Sequence, residues 1–581
     1  MQRGSPRWKR RARSDQGAVE ALARGRLDSG QLASPEGHAC SLHARRAYAR
    51  LSCGPNMRLD RRAFLRAAAG VAAGVAVTAG SETLPEVSLS PSRGTALARA
   101  LGDDRPVPWH ALAASLRGRL VRPTNPSYPV DAQVYNQRFD GLLPKAIAYC
   151  RTPQDVQRCV DFARRHRVRV AARSGGHSYG GYSLCRGLVI DVTELSAVHL
   201  DVRRRAATVG AGVRMIDLYT ALGGKGRLLP GASCPTVGIA GLALGGGVSV
   251  FARRYGLTCD QLETLRIVTA DGRILTCDRE HHEDLFWACR GGGGGNFGVV
   301  TSFTFRVHPI PPVALFTLEW PWAAAADVLG AWLHWTTGAP DEIWSNCQLL
   351  SSGSAGGKTV KVTGVLCGSA RTLVTLLRPL RAAVATAPVV DFVGPESYLP
   401  AMLVEAGCEG MSVAACHLPS ENRSGTLSRA SFGAKSGYVT SMPPDRGIIA
   451  AVNAVSFLDH DVPEVGGGIV FDAYGGAVNR VASDATAFVH RDALACAQWS
   501  FFWGTGAPHS VTAAGSSWLA STGHSLAPYI HGAYQNYIDP TLTDWARAYY
   551  GANLPRLVKV KRKVDADDFF HFAQSIPTSL A

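Results

Sequence analysis

The run Arg173-Ser174-Gly175-Gly176-His177-Ser178-Tyr179-Gly180-Gly181 sets an imidazole inside a turn built on paired glycines. Adjacent glycines tolerate positive φ and let the backbone approach a ligand closely. Successive N–H groups in such a turn form a concavity that binds anions, phosphate above all. A second glycine-dense stretch, Pro230-Gly231-Ala232-Ser233-Cys234-Pro235-Thr236-Val237-Gly238, runs on through Gly241 to Gly245-Gly246-Gly247 and carries one thiol at its entrance. Taken singly, His177 reads as a solvated loop histidine and Cys234 as an ordinary buried thiol. Taken together, the two runs read as loops gripping one extended, phosphate-bearing cofactor.

Alternating strands and helices must position these loops. Ala146–Cys150 reads as a short apolar strand. Thr152 then supplies an N-cap, with Pro153 at the first helical position. Val168–Ala172 is the strand that delivers the chain into the Gly-Gly-His loop, Leu188–Val192 and Ala207–Val213 are further strands, and Met215–Leu222 is a helix. A hairpin follows, Leu265–Thr269 and Ile274–Thr276 around Asp271-Gly272. Five glycines at 291–295 lead into a strand over Thr301–Val307. Residues 311–525 read as a second domain covering the first, with longer strands such as Ile449–Phe457. His490-Arg491 reads as buried structure, and the basic cluster at 556–563 as the solvated face of a helix or strand.

With 581 residues, 46% apolar and 18% charged, the chain has the composition of a globular protein of two domains. Its net charge of +16 suggests nucleic acid, yet residues 1–56 alone hold 11 Lys/Arg against 4 Asp/Glu. That stretch lacks periodicity and the interleaved aromatics of a nucleic-acid arm, so it reads as a disordered extension or as sequence upstream of the true start. From Met57, Arg61-Arg62 precede Phe64-Leu65 and the apolar run Ala67–Ala79, too short to span a bilayer. This is the pattern of a twin-arginine export signal over 57–80, which makes the mature protein extracytoplasmic, without a stable membrane anchor. The 14 cysteines show no zinc-ligand spacing, and Cys40 and Cys53 fall in the extension.

The ordered set of pieces resembles the berberine-bridge-enzyme-like branch of FAD-linked oxidases, in the vanillyl-alcohol-oxidase superfamily. The pieces are Arg173–Ser178, Gly231–Gly238, Gly245–Gly247, Tyr255-Gly256-Leu257, Asp260, Phe286-Trp287-Ala288, Gly298-Val299-Val300-Thr301, Asn536-Tyr537 and Gln574–Pro577. The resemblance implies an α+β architecture: a PCMH-type FAD-binding domain of two subdomains over 131–310, after a lead-in at 81–130. It further implies an α+β substrate domain over 311–525, with an antiparallel sheet above the flavin, and a segment over 526–581 that returns to the FAD domain.

The resemblance also implies a doubly tethered FAD, with His177 on the 8α-methyl and Cys234 on carbon 6 of the ring. Ser174, Gly175, Gly176, Ser178, Gly231, Ser233, Gly238, Gly241, Gly246, Gly247, Gly256, Leu257, Asp260, Gly298, Val300 and Asn536 join Arg173 as cofactor-binding positions. Val237, three past Cys234, matches the position where valine admits oxygen, which implies an oxidase with O2 as acceptor and H2O2 as product. A hydride acceptor needs a protein base for the substrate's O–H. Tyr537 and Tyr534 are the candidates, with a Glu or Asp as an alternative. The implied substrate is a small molecule carrying a CH–OH group, a sugar, glycoside or other secondary-metabolite alcohol. A flavin dehydrogenase with another acceptor, an oxidative cyclase on an alkaloid-like scaffold, and a binding module without turnover are the competing readings.

Overall fold

The structure, a computed structural model, describes residues 107–352, 357–458 and 466–580. The expected extension over 1–56 and the expected export leader over 57–80 lie outside the described residues.

Three sheets carry the architecture. The first has four strands in the order Arg119–Val121, Ala146–Tyr149, Leu188–Asp191, Val170–Arg173. Its last three strands are parallel. The helix Pro153–Arg165 crosses over between the parallel strands Ala146–Tyr149 and Val170–Arg173, opened by a capping box in which Thr152 and Asp155 satisfy each other's backbone N–H. Leu188–Asp191 is closed on both faces, as a central parallel strand requires. The second sheet is antiparallel, in the order Val198–Asp201, Ala206–Gly210, Val299–Arg306, Leu262–Val268, Ile274–Cys277. One apolar core joins both sheets and also takes in Leu557 and Val558 from near the C-terminus.

The third sheet has seven strands: Val390–Glu396, Val313–Pro321, Lys358–Leu366, Ile343–Ser351, Gly466–Ala473, Ala495–Trp503 and Ser431–Val439. All neighbours are antiparallel. Side chains alternate across it with period two. Leu318, Val362, Leu349, Ile469 and Ala497 pack into one core, together with Leu329, Leu373, Val455 and Leu519 from the helices Ala325–Gly338, Ala370–Ala383, Asp445–Ser456 and His509–Leu526. The opposite face looks onto the glycine loops. Tyr438 and Cys496 from this face share a cluster with Leu257, Cys259 and Tyr534.

Two expectations are corrected. Ile449–Phe457 is not a strand but most of the helix Asp445–Ser456. Its buried positions, Gly447, Ile448, Ala451 and Val455, follow the helical repeat, whereas Ile449 and Phe457 are 49% and 79% exposed. The basic cluster is a helix, Leu554–Val564, but not a wholly solvated face. Lys561 is fully buried, and its Nζ donates to Asp565 Oδ2 at 2.7 Å, to the Asn296 carbonyl at 2.9 Å and to the Phe570 carbonyl at 2.7 Å. A buried ammonium persists only when its donors are all taken. Here it clasps the C-terminal segment to the glycine run.

Candidate active site

The strand Val170–Arg173 ends in the first loop, and the second loop lies against it backbone to backbone. A Cβ on Gly175 would meet the Gly238 nitrogen at 2.2 Å, and one on Gly238 would meet Ser174 Oγ at 2.1 Å. Only glycine permits that approach. The contact brings the imidazole and the thiol to one hydroxyl: His177 Nε2 lies 2.8 Å from Thr236 Oγ1, and Cys234 Sγ lies 3.9 Å from the same oxygen. Tyr135 stacks on His177 with ring centroids 4.1 Å apart. Burial, seconded by the Arg214 cation, pushes the His177 imidazole down to about 3, so it is neutral and its ring nitrogen keeps a lone pair. Burial pushes the Cys234 thiol up to about 11, against the pull of Thr236. Arg214 is held by Glu421 at 3.1 Å and donates to the Ser174 carbonyl at 3.2 Å.

The first loop has the donors an anionic cofactor needs. The backbone N–H groups of Ser174, Gly175, Gly176, His177 and Ser178 find no acceptor among the described residues. The Arg173 guanidinium does not join them, because Asp191 holds it in a buried ion pair. Ser174 Oγ donates to the Ala211 carbonyl at 2.7 Å, and Ser178 Oγ accepts from the Tyr182 N–H at 3.1 Å. In the second loop Gly231 lies against Met215, and Ser233 and Val237 are half-buried. Gly241, on the helix Ile239–Leu244, faces open space. These open and donor-rich surfaces fit an extended phosphate-bearing group.

Other expected positions shape the loops from behind. Gly246 and Gly247 have φ of +123° and +89°, and the Gly247 and Val248 N–H groups donate to the Tyr534 hydroxyl at 2.9 and 3.3 Å. Asn536 Nδ2 donates to that oxygen too, at 3.0 Å, and to the Leu242 carbonyl at 3.0 Å. Tyr534 is therefore a buried brace under the glycine run. Asp260 binds Arg491 through both carboxylate oxygens at 2.7 and 2.9 Å, and accepts the Leu257 N–H at 2.9 Å. It sets the turn at Gly256, where a Cβ would strike its carboxylate. Gly298 allows close approach to the Val268 carbonyl, and Val300 is buried in the second sheet. His490-Arg491 is structural, as expected: His490 stacks on Tyr438 with ring centroids 4.0 Å apart.

Tyr537 differs from Tyr534. It is half-buried, stacks on Tyr179 of the first loop at 5.4 Å, and receives no hydrogen bond on its hydroxyl among the described residues. Above it lies a polar surface that carried no recognised signal. Two neighbouring rows cross six strands of the seven-stranded sheet on the loop side. One runs Thr317, Thr363, Asn346, Asp472, Cys496, Tyr438, and the other Glu319, Lys361, Gln348, Val470, Gln498, Ser436. Gln498 Nε2 donates to the Tyr179 hydroxyl at 3.0 Å. Burial pushes the Asp472 carboxyl up to about 7, against a hydrogen bond from Asn346, and its charge acts on both Tyr537 and Tyr179. Burial, with the Asp472 charge, likewise lifts Glu405 to about 7. His177, Tyr179, Cys234, Glu405, Asp472, Gln498 and Tyr537 are all half-buried, as side chains lining a cleft would be. The missed signal was alternation: Gln348 lies between the apolar Cys347 and Leu349, Asn346 two positions before it shares its face, and Asp472 lies between Phe471 and Ala473.

The comparisons with known proteins agree with this geometry. The FAD binding domain family matches residues 144–278, and the berberine and berberine-like family matches 533–577. An uncharacterized FAD-linked oxidoreductase of Bacillus subtilis, YgaK, is 32% identical over 467 residues, covering 80% of this chain and 97% of its own. Wild-type Physcomitrella patens BBE-like 1 superposes with a TM-score of 0.74 at 30% identity, over 81% of this chain and 99% of the other. The xylooligosaccharide oxidase of Myceliophthora thermophila C1, solved in complex with xylobiose, gives 0.71 at 26% identity, over 81% and 99%.

Proposed function

Because the chain belongs to the berberine-bridge-like family of FAD-linked oxidoreductases, we propose that it is an exported oxidase of CH–OH groups on sugars or glycosides. The observation that carries this reading is Asp472, set within two rows of amide, hydroxyl and charged side chains, with its charge acting on Tyr537. Such a surface matches a ligand rich in hydroxyls, and the likeness to an oligosaccharide oxidase supports that class of substrate.

The loop N–H groups of Ser174–Ser178 would hold the pyrophosphate of FAD, and His177 and Cys234, converging on Thr236, would tether its ring from two loops. The bound flavin would supply the hydride acceptor and pass the electron pair to O2, giving H2O2. Everything else falls to the chain. Asn346, Gln348 and Gln498 orient the substrate's hydroxyls. Burial and the Asp472 charge push the Tyr537 phenol well up, so it works as a neutral relay: its unengaged hydroxyl takes the proton of the reacting O–H while its own phenolic proton passes to the Asp472 carboxylate. A carboxyl that titrates near 7 suits that work, because a base is most effective when its pKa lies near the operating pH. Tyr534, with three N–H groups on its oxygen, holds the glycine run. Val237 stands at the half-buried edge of the second loop, where O2 would enter.

Export through the Arg61-Arg62 leader completes the proposal. The Cys408–Cys416 disulfide supports it, since such bonds persist in oxidising compartments. The test is peroxide release across a panel of mono- and oligosaccharides, with acid precipitation of the purified protein. Yellow colour that stays in the pellet is expected, and colour lost to the supernatant rejects the tether. Turnover with an artificial acceptor but without O2 consumption rejects the oxidase.

A further inference from the structure

Asn346 sits between Thr363 and Asp472 in the first polar row, paired across the strands with each. Its Oδ1 accepts from Thr363 Oγ1 at 2.8 Å and from Gln348 Nε2 at 2.9 Å. An amide oxygen offers two lone pairs, so both are filled, and the orientation of the amide is fixed by its network. The NH2 end is then turned to the other cross-strand neighbour, Asp472, whose carboxyl Asn346 draws down against burial. Asn346, Gln348 and Thr363 are 8%, 3% and 9% exposed, so water does not compete for these contacts.

We propose that Asn346 is the positioning residue of the proton-accepting pair: aligned by Thr363 and Gln348, its amide donates to Asp472 and holds that carboxylate beside Tyr537. This rests on the reading of Tyr537 and Asp472 given above and adds the device that sets them. Asn346 itself neither gives nor takes a proton. The substrate's O–H proton would go to the Tyr537–Asp472 pair, and a flavin held by the two loops would supply the acceptor for the C–H hydride, which balances oxidation of the alcohol to a carbonyl.

An N–H donated to a carboxylate favours its ionised form. Without it, Asp472 must ionise at higher pH. The titratable groups on which the Asp472 charge acts are Glu405 at the end of the helix Tyr398–Glu405, Tyr179 of the first loop, Tyr537, and Cys496 on the adjacent strand. Glu405 also titrates near 7, so the two carboxyls share macroscopic steps and must be separated by substitution.

The experiment measures the pH profile of kcat/KM in a Glu405→Gln background. Alongside it, the visible band of the oxidised holoenzyme is titrated with pH in the absence of substrate. Asn346→Ala should move the midpoint of both upward by about one pH unit and lower kcat about ten- to a hundredfold at pH 6. Thr363→Val, nearly isosteric and keeping the amide, should move both midpoints the same way by a few tenths of a unit. A merely structural Asn346 would change yield, Tm or KM and leave both midpoints in place, and that result overturns the proposal. Should Asn346→Ala not fold, Thr363→Val decides by the same criterion. If Asp472→Asn leaves both midpoints unmoved, the pair itself is wrong and the positioning role falls with it.

Discussion

The two faces of the seven-stranded sheet are made by the same strands and are both largely closed to bulk solvent, yet they are chemically opposite. Along Ile343–Ser351, Cys347 and Leu349 enter the helix-covered core at 0% exposure, while Asn346 and Gln348, alternating with them, point to the glycine loops at 8% and 3%. Alternation in a strand commonly divides core from water. Here it divides core from an interior polar surface. Buried polar side chains must find partners, and those on this face largely find each other, although the Gln348 Oε1 is left without one. A polar face that folding encloses instead of exposing is the mark of a ligand site, and burial alone does not reveal it.

Substitutions on each face should separate chemistry from packing. Asp472→Asn, on the polar face, should have the largest effect: kcat falls about 10²- to 10⁴-fold, as for loss of a general base, with Tm unchanged or raised because a costly buried carboxyl is gone. Steady-state and melting measurements on the same preparation check this. Leu349→Ala, three residues from Asn346 but on the apolar face, should do the converse. It should lower stability by about 2–5 kcal/mol in denaturant titration while kcat per bound flavin stays within about twofold. Gln498→Ala removes the donor to the Tyr179 hydroxyl. It should raise KM for a sugar substrate about tenfold with little change in Tm, the loss of one to two hydrogen bonds.

The smallest expected effect is on the pH dependence of stability. The Asp472 carboxyl ionises near 7 in the folded chain and near its ordinary value of 3.8 when unfolded. Between about pH 4 and pH 7 the folded state therefore holds more protons, so stability falls as pH rises through that window and levels above it. In Asp472→Asn this part of the slope should flatten, and in Leu349→Ala it should persist on a lower baseline. Melting curves from pH 4 to pH 8 distinguish the two.

The two loops were legible because their chemistry is local. Gly-Gly-His and the run around Cys234 declare themselves by residue type within a few positions. What the sequence did not offer there was Thr236, whose hydroxyl joins His177 to Cys234. It also left Tyr534 and Tyr537 equivalent, and hydrogen bonding made one a brace and the other free. The helix Asp445–Ser456 was misread as a strand because an apolar run alone does not distinguish a period of two from one of 3.6.

Sequence by itself determined the two glycine loops and the family, since glycine dihedrals and reactive side chains act over a few residues. Only the tertiary structure decided the roof. Thr363, Asn346, Asp472 and Gln498 come from four strands of the seven-stranded sheet that are far apart in the chain, and no local pattern states which residues face one another. Strand register does so, because it is fixed by the apolar face packing against its helices, and a slip of one residue would turn the polar rows into that core.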